Sequence, residues 1–473
     1  MSGFSSRFVA FWLALVLLIY LVVGTLFAVY TPAWQSPDEP AHYNYIRYIV
    51  EHGRFPVLQP GDYPQDYLEE IKSQKFPSHF PIDPIRYEFH QPPLYYLLAT
   101  PVFKLFDGAL VPLRLLSVVL GAGLVYVACR LALAIFSLRP ALALGTAAFV
   151  AFVPMHVAMM SAVNNDSLAE LLLALALWGV IRYLLGEKEG RGDLAGVGVL
   201  LGLGLLTKLY AVATLAVAMA AVILRRRREG RRAARDMALL LGPAMVLVLP
   251  WLARNVAVYG WPDVMGLARH DEVVWGQLTT AEFVAQHGWG HLVREGLRTT
   301  YQSFWGQFGW MAVPMDRRIY LALGLFSILV IAGLLGWLVV EAVSGRRNLA
   351  SGRQVDADGY ESLTRTGKTR EAFVRRLLSA AVLLFSMLLT LFSYVWYNTK
   401  FVQHQGRYLF PALIPLGLAL ALGWWTVVDR VRALVTRIGR LSCVSGLLFA
   451  LPYAGLALLD VVSLSVFVIP YLS

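Results

Sequence analysis

Asp38 and Glu39 stand side by side, and His42 follows about one helical turn later. All three come soon after an apolar run that ends near Tyr30. An acid pair beside an imidazole can accept and hold a proton, as a general base acting on a hydroxyl must. Ser36-Pro37-Asp38-Glu39 reads as a helix start. Ser36 is the cap, Pro37 takes the first helical position and Glu39 closes a capping box. The helix is expected to run to His52 and stop at Gly53. Asp38, His42, Tyr45 and Ile49 then share one face. Acids in a first turn also complement the helix dipole, so these residues alone leave a purely structural role open.

Further polar groups recur at the ends of apolar runs, on the same expected side: His90 and Gln91, Asn165 and Asp166, Lys208, Arg254, His270, His287, His291, His404 and Arg407. Ionisable residues at membrane depth are costly and mark a site or a pair. Acids mixed with Lys and Arg suit a phosphate held by cations while a carboxylate takes a proton. Plainer roles compete. Asn165-Asp166 can cap a helix, Lys208 can snorkel to headgroups, Arg407 can anchor a span, and His90-Gln91-Pro92-Pro93 can stiffen a loop end. The histidines lack metalloprotease spacing, so any metal ligands are unknown. The tryptophans read as an interfacial belt, with Trp305 and Trp310 able to stack on a sugar.

The elements that must position these groups are membrane helices. Of the 473 residues, 58% are hydrophobic and only 15% charged, with a mean hydropathy of +0.60. Soluble domains carry about 25% charged residues. The net charge of +11 is not a nucleic-acid footprint, because the arginines cluster between apolar runs, as the positive-inside rule expects. Cys129 and Cys443 both lie in apolar runs and imply neither a disulfide nor a metal cluster. The first run is too long for a signal-peptide core and reads as an uncleaved anchor.

The expected fold class is an all-α polytopic membrane protein of about eleven spans. These are 8–30, 112–136, 140–160, 168–185, two short glycine-rich spans within 194–224 that turn at Lys208, then 237–253, 319–340, 377–397, 409–428 and 441–464. One helix over 194–224 would be about 46 Å long, too long for a bilayer core. The chain is treated as one domain, 1–473, with outer loops 31–93 and 256–318 and a polar inner loop 341–376. The N-terminus is expected inside, at a bacterial-type plasma membrane, with the acid-bearing loop outside. The tyrosine-rich run 94–103 is too short to span and should lie in the interface.

Together these residues resemble a GT-C-type membrane glycosyltransferase, similar to the family-39-like group of protein O-mannosyltransferases and the lipid A aminoarabinose transferase. Asp38-Glu39 directly after the first span resembles the family's acidic motif. His90-Gln91-Pro92-Pro93-Leu94-Tyr95-Tyr96 resembles its Pro-Pro-Leu-aromatic segment, and Asn165-Asp166 the acid after its third span. Segments 303–310 and 405–411 look like those of bacterial members. Many members carry an acid and a lysine just before Pro-Pro, where this chain has His90 and Gln91, so Lys208 or Arg407 would have to hold the donor phosphate here.

The resemblance implies a polyprenyl-phosphate-linked sugar donor used on the outer face, with inversion at the anomeric carbon. Asp38 would be the general base, with Glu39 or Asp166 orienting it or holding a divalent ion. Partners would be the lipid donor, membrane lipids and an acceptor that is protein, lipid or glycan, with no nucleic acid. A transporter or flippase of lipid-linked saccharides is the competing reading, in which the same charges only bind phosphate.

Overall fold

A computed structural model describes residues 6–186, 191–274, 276–351, 366–435 and 444–473. Trp275, Cys443, Arg437, Arg440 and residues 352–365 of the expected inner loop lie outside the described residues. Among the described residues, eight helices are long and apolar enough to cross a membrane. They become nine when Pro140–Phe152 and Pro154–Met160, bent by 65°, count as one span. Pro154 has no N–H and clashes with a continuing turn, which accounts for the bend. The region 194–224 is divided as expected, into helices Arg191–Leu205 and Ala211–Arg226 with Lys208 in the turn. Both are shorter than the usual span length.

The expected inner loop is shorter than the sequence suggests, because the helices Arg317–Ser351 and Thr366–Asn398 run well into it. The last span is longer than expected. It continues through a π-type turn at Ser463–Val468 to Leu472.

The core sits where the helices Leu110–Ile135, Pro140–Phe152, Asp166–Leu185 and Leu413–Val435 meet. Small residues line it, among them Ala128, Ala132, Ala147 and Ala151, all fully buried. Lipid tails are as apolar as leucine, so close backbone approach replaces the hydrophobic effect as the reason to associate. Gly198 and Gly202 show the device. A Cβ at Gly198 would fall 2.3 Å from the Leu240 carbonyl oxygen, and one at Gly202 would fall 3.0 Å from Ala244 Cα. The Gly230–Tyr259 helix therefore lies directly on the Arg191–Leu205 helix.

Both large loops are structured. The first carries helices Glu39–His52, Gln65–Ser73 and Leu94–Leu105, with a 3-10 turn at Tyr87–His90. Gly53 ends the first of these at φ 64°. The start differs from expectation. Asp38 is the N-cap, in the left-handed region (φ 67°), without a side-chain cap bond, and Pro40 rather than Pro37 takes the first turn. Ser36 and Glu39 form no capping box. The second loop holds helices Leu267–Val273, Thr280–His287 and Trp289–Trp305 and a hairpin pairing Gln307–Phe308 with Val313–Pro314. A capping box does occur here, between Thr279 and Glu282.

Candidate active site

Glu39 is fully buried, and its partner is Arg114, from the second span. Arg114 donates from Nε to Glu39 Oε1 (2.7 Å) and from one terminal nitrogen to Oε2 (2.6 Å). Its other donors reach the carbonyls of Ala28 (3.1 Å), Thr31 (2.6 Å) and Pro32 (3.1 Å). All five guanidinium N–H groups are thus used. Glu39 also accepts from the backbone N–H of Trp34 (3.2 Å) and Val163 (3.1 Å). One ion pair therefore ties the end of the first span, the first loop and the segment after the bent span together. Its burial argues for a structural staple.

The loop so held presents Asp38. The Tyr87 hydroxyl donates to Asp38 Oδ1 (2.8 Å), and Arg407 donates to Oδ2 (2.7 Å). Arg407 is itself oriented by donating from Nε to Gln405 Oε1 (2.6 Å). Gly406 makes this approach work. Its N–H donates to Ser303 Oγ (2.7 Å), and a Cβ there would fall 2.3 Å from Phe304 N. The Asp38 side chain keeps 22% of its exposure and Arg407 7%. Burial opposes the charge on Asp38, but Arg407, His42 and the Tyr87 hydroxyl outweigh it and hold the carboxyl at about 2. His42 does not bond the Asp38 side chain. Its Nδ1 is hydrogen-bonded to the Tyr96 hydroxyl (2.9 Å). Burial and the nearby Lys208 press His42 down to about 3, so it is neutral.

A second pair mirrors the first. Lys208 donates to Asp166 Oδ1 (2.6 Å), with side-chain exposures of 22% and 20%. Asp166 begins the Asp166–Leu185 helix, and its N–H donates to Asn164 Oδ1 (2.8 Å). Asp38, Asp166, Lys208 and Arg407 all act electrostatically on His42, so both ion pairs lie near that ring. Lys208 and Arg407 are thus paired cations rather than lone ones.

His90 and Gln91 line the same region, beside Glu88. Burial, then the charge of Asp38, pushes Glu88 up to about 7. His90 is held well below its usual range by burial and by His270, whose ring lies 4.6 Å away. Among the described residues, Glu88 Oε2, Gln91 Oε1 and Asn165 Oδ1 are buried acceptors without a hydrogen-bond partner. Such orphans point to a ligand that brings donors.

Among the described residues no group of three or more His, Cys, Asp or Glu side chains is placed to hold a metal ion. Each of the two carboxylates offered as a possible ligand is occupied by a cation, Glu39 by Arg114 and Asp166 by Lys208. Paired in this way, neither carboxylate is open to a divalent ion in this structure. Trp305 is 4% exposed and packs edge-on against Phe149, so it offers no open face to a sugar. Trp310 is half-buried on Phe76 and under Lys72. His287 stacks on both Phe283 and His291 in the second loop. Arg254 lies over the rings of Trp251 and Tyr259.

Glu88, Tyr87 and Arg114 escaped the sequence reading, and Tyr96 entered it only as part of the Pro-Pro-Leu-aromatic segment. Arg114 carried a signal, being a lone cation early in an apolar run. Glu88 carried a weaker one, as an acid two residues before His90.

Residues 90–253, about a third of the chain, match the family model described as dolichyl-phosphate-mannose-protein mannosyltransferase. No curated protein matches the sequence. Two solved structures share the fold. One is ArnT from Cupriavidus metallidurans bound to undecaprenyl phosphate, at 15% identity and a TM-score of 0.50, covering 98% of this chain and 71% of that one. The other is the archaeal oligosaccharyltransferase AglB from Archaeoglobus fulgidus, in complex with an inhibitory peptide and a dolichol-phosphate. There the identity is 14% and the TM-score 0.51, with 97% of this chain and 56% of that one covered. The chain thus shares the multi-pass helical fold of these two structures, and its central segment is similar to the mannosyltransferase family model.

Proposed function

We propose that this chain, acting as one GT-C unit, transfers a sugar from a polyprenyl-phosphate donor to an acceptor hydroxyl on the extracytoplasmic face. The observation that carries the reading is the pair of acid–cation couples, Asp38–Arg407 and Asp166–Lys208, near the His42 ring. The lipid phosphates named with both similar structures support the donor class. A phosphate entering between the couples competes with the carboxylates for Arg407 and Lys208, because charge-assisted bonds to phosphate are strong. Drawing Arg407 away frees Asp38, whose carboxyl then becomes more basic.

The acceptor oxygen attacks the anomeric carbon as the bond from that carbon to the phosphate oxygen breaks. Its electron pair leaves on the phosphate, and the acceptor proton passes to Asp38. A single displacement of this kind inverts the anomeric centre. The orphaned acceptors of Glu88, Gln91 and Asn165 suit the hydroxyl donors of a sugar ring.

The test is turnover of a polyprenyl-phosphate sugar by the purified protein, read as released polyprenyl phosphate and as the anomeric configuration of the product. Asp38→Asn keeps the side-chain shape but cannot take the proton, and should lower turnover by about 10²–10⁴-fold. Movement of intact donor across a bilayer with no bond cleavage would replace the enzyme with a transporter. Near-parental turnover in Asp38→Asn would shift the base to Asp166.

A further inference from the structure

A cavity of about 290 Å³ lies near the arginine-rich end of the bundle, between the helices Asp166–Leu185, Arg191–Leu205 and Gly230–Tyr259. Arg182, on its rim, is about 24 Å further along its helix than Asp166 at 1.5 Å per residue, so the cavity is separate from the Asp38 site. Its volume equals roughly ten waters' share of the liquid.

The lining has two characters. Leu175, Trp178, Leu200 and Leu239 form an apolar wall, while three arginines (Arg182, Arg226, Arg235) outnumber two acids (Asp193, Asp236) on the polar side. Asp236, whose side chain is 3% exposed, organises two of these arginines. It accepts from Arg226 Nε (2.9 Å), from two nitrogens of Arg235 (2.9 and 3.2 Å) and from the Tyr183 hydroxyl (2.9 Å). Arg226 also reaches Glu229 (3.4 Å). Each guanidinium carries five N–H donors, so both forks keep donors beyond those Asp236 takes. The third, Arg182, lies over the Trp178 ring at 5.3 Å. Arg235 is 47% exposed and can be reached from outside.

We propose that this cavity binds the phosphodiester headgroup of an anionic phospholipid, with the upper acyl chains against the leucine wall. Cations at the rim of an apolar cleft between helices match a lipid's two halves, and basic pockets between spans take acidic headgroups. A free inorganic anion would have no use for the wall. Gly196 also lines the cavity, and a Cβ built there meets nothing within 4 Å. A larger side chain at this position would fill the space without changing any charge.

The experiment is native mass spectrometry of the full chain in mild detergent with phosphatidylglycerol or phosphatidylethanolamine, with and without inorganic phosphate in excess. The parent should retain phosphatidylglycerol in preference to phosphatidylethanolamine. Arg182→Gln with Arg235→Gln should lower that retention about tenfold or more, since each cation near a headgroup contributes about 1 kcal/mol. Gly196→Leu should lower it by filling the cavity, and it decides the matter alone if the double variant fails to fold. Equal retention of both lipids overturns the proposal, as does parental retention in the folded variants. Displacement by inorganic phosphate also overturns it, in favour of a free-anion site.

Discussion

Adjacent acids in this chain have different surroundings. Glu39 is wholly buried on Arg114, whereas Asp38 is about one-fifth exposed and faces Arg407. Removing one partner of a buried pair leaves the other uncompensated, at a cost of about 3–5 kcal/mol. Glu39→Gln should therefore lower the thermal unfolding temperature markedly, and Asp38→Asn should affect turnover far more than stability. Parental unfolding of Glu39→Gln would dismiss the staple. Glu88 adds a pH effect. Its carboxyl is pushed up to about 7 by burial and by Asp38, above the ordinary carboxylate value, so the folded state holds that proton more tightly than the unfolded one. Its contribution to stability is full below about pH 4.5 and is lost as pH rises through about 7. The stability advantage of the parent over Glu88→Gln should shrink between pH 5 and pH 8. An advantage that grows across that range would reverse the sign.

At the scale of elements, the site depends on how closely the turn after Asn398 sits on the Trp289–Trp305 helix. Gly406 has no Cβ, and its absence lets the turn touch the helix backbone and aim Arg407 at Asp38. Gly406→Ala should push the turn outward. A shift of about 1 Å can cost on the order of 10²-fold in rate, so turnover should fall although no charged group is changed. Unaltered turnover in a folded Gly406→Ala protein would show that the contact can yield. The Lys208 turn makes a parallel case. Lys208→Ala should weaken donor use, seen as a raised apparent KM, because Asp166 keeps its charge while the phosphate loses a cation. An unchanged KM would return Lys208 to a role within the ion pair alone.

For the whole molecule, the charge asymmetry predicts which end faces out. The arginine runs at 225–228 and 430–440 stand apart from the Asp38 loop in the alternation of spans, and the positive-inside rule assigns them to the cytoplasm. A single cysteine at the exposed Ser78 should be labelled by an impermeant reagent from outside, and one at the exposed Arg228 only after permeabilisation. The opposite pattern would invert the topology and move the proposed reaction to the other face.

The amino-acid sequence alone determined the class of the protein, most span positions, the division at Lys208 and the pairing of a loop acid with membrane-depth cations as the place to look. Those features are local: apolar runs long enough for a bilayer, arginine clusters and glycine stops are all read within a few turns of chain. Only the tertiary structure decided which cation meets which acid. Asp38 and Arg407 are brought together from opposite ends of the chain, and Glu39 finds Arg114 where a capping box with Ser36 was the local solution. A local motif competes with long-range partners, and a fully satisfied guanidinium in a buried site outweighs one cap bond of about 1 kcal/mol. Burial is likewise a property of the assembled bundle. It gives Glu88 its raised carboxyl and takes the face of Trp305 out of reach, and nothing in the neighbouring residues announces either.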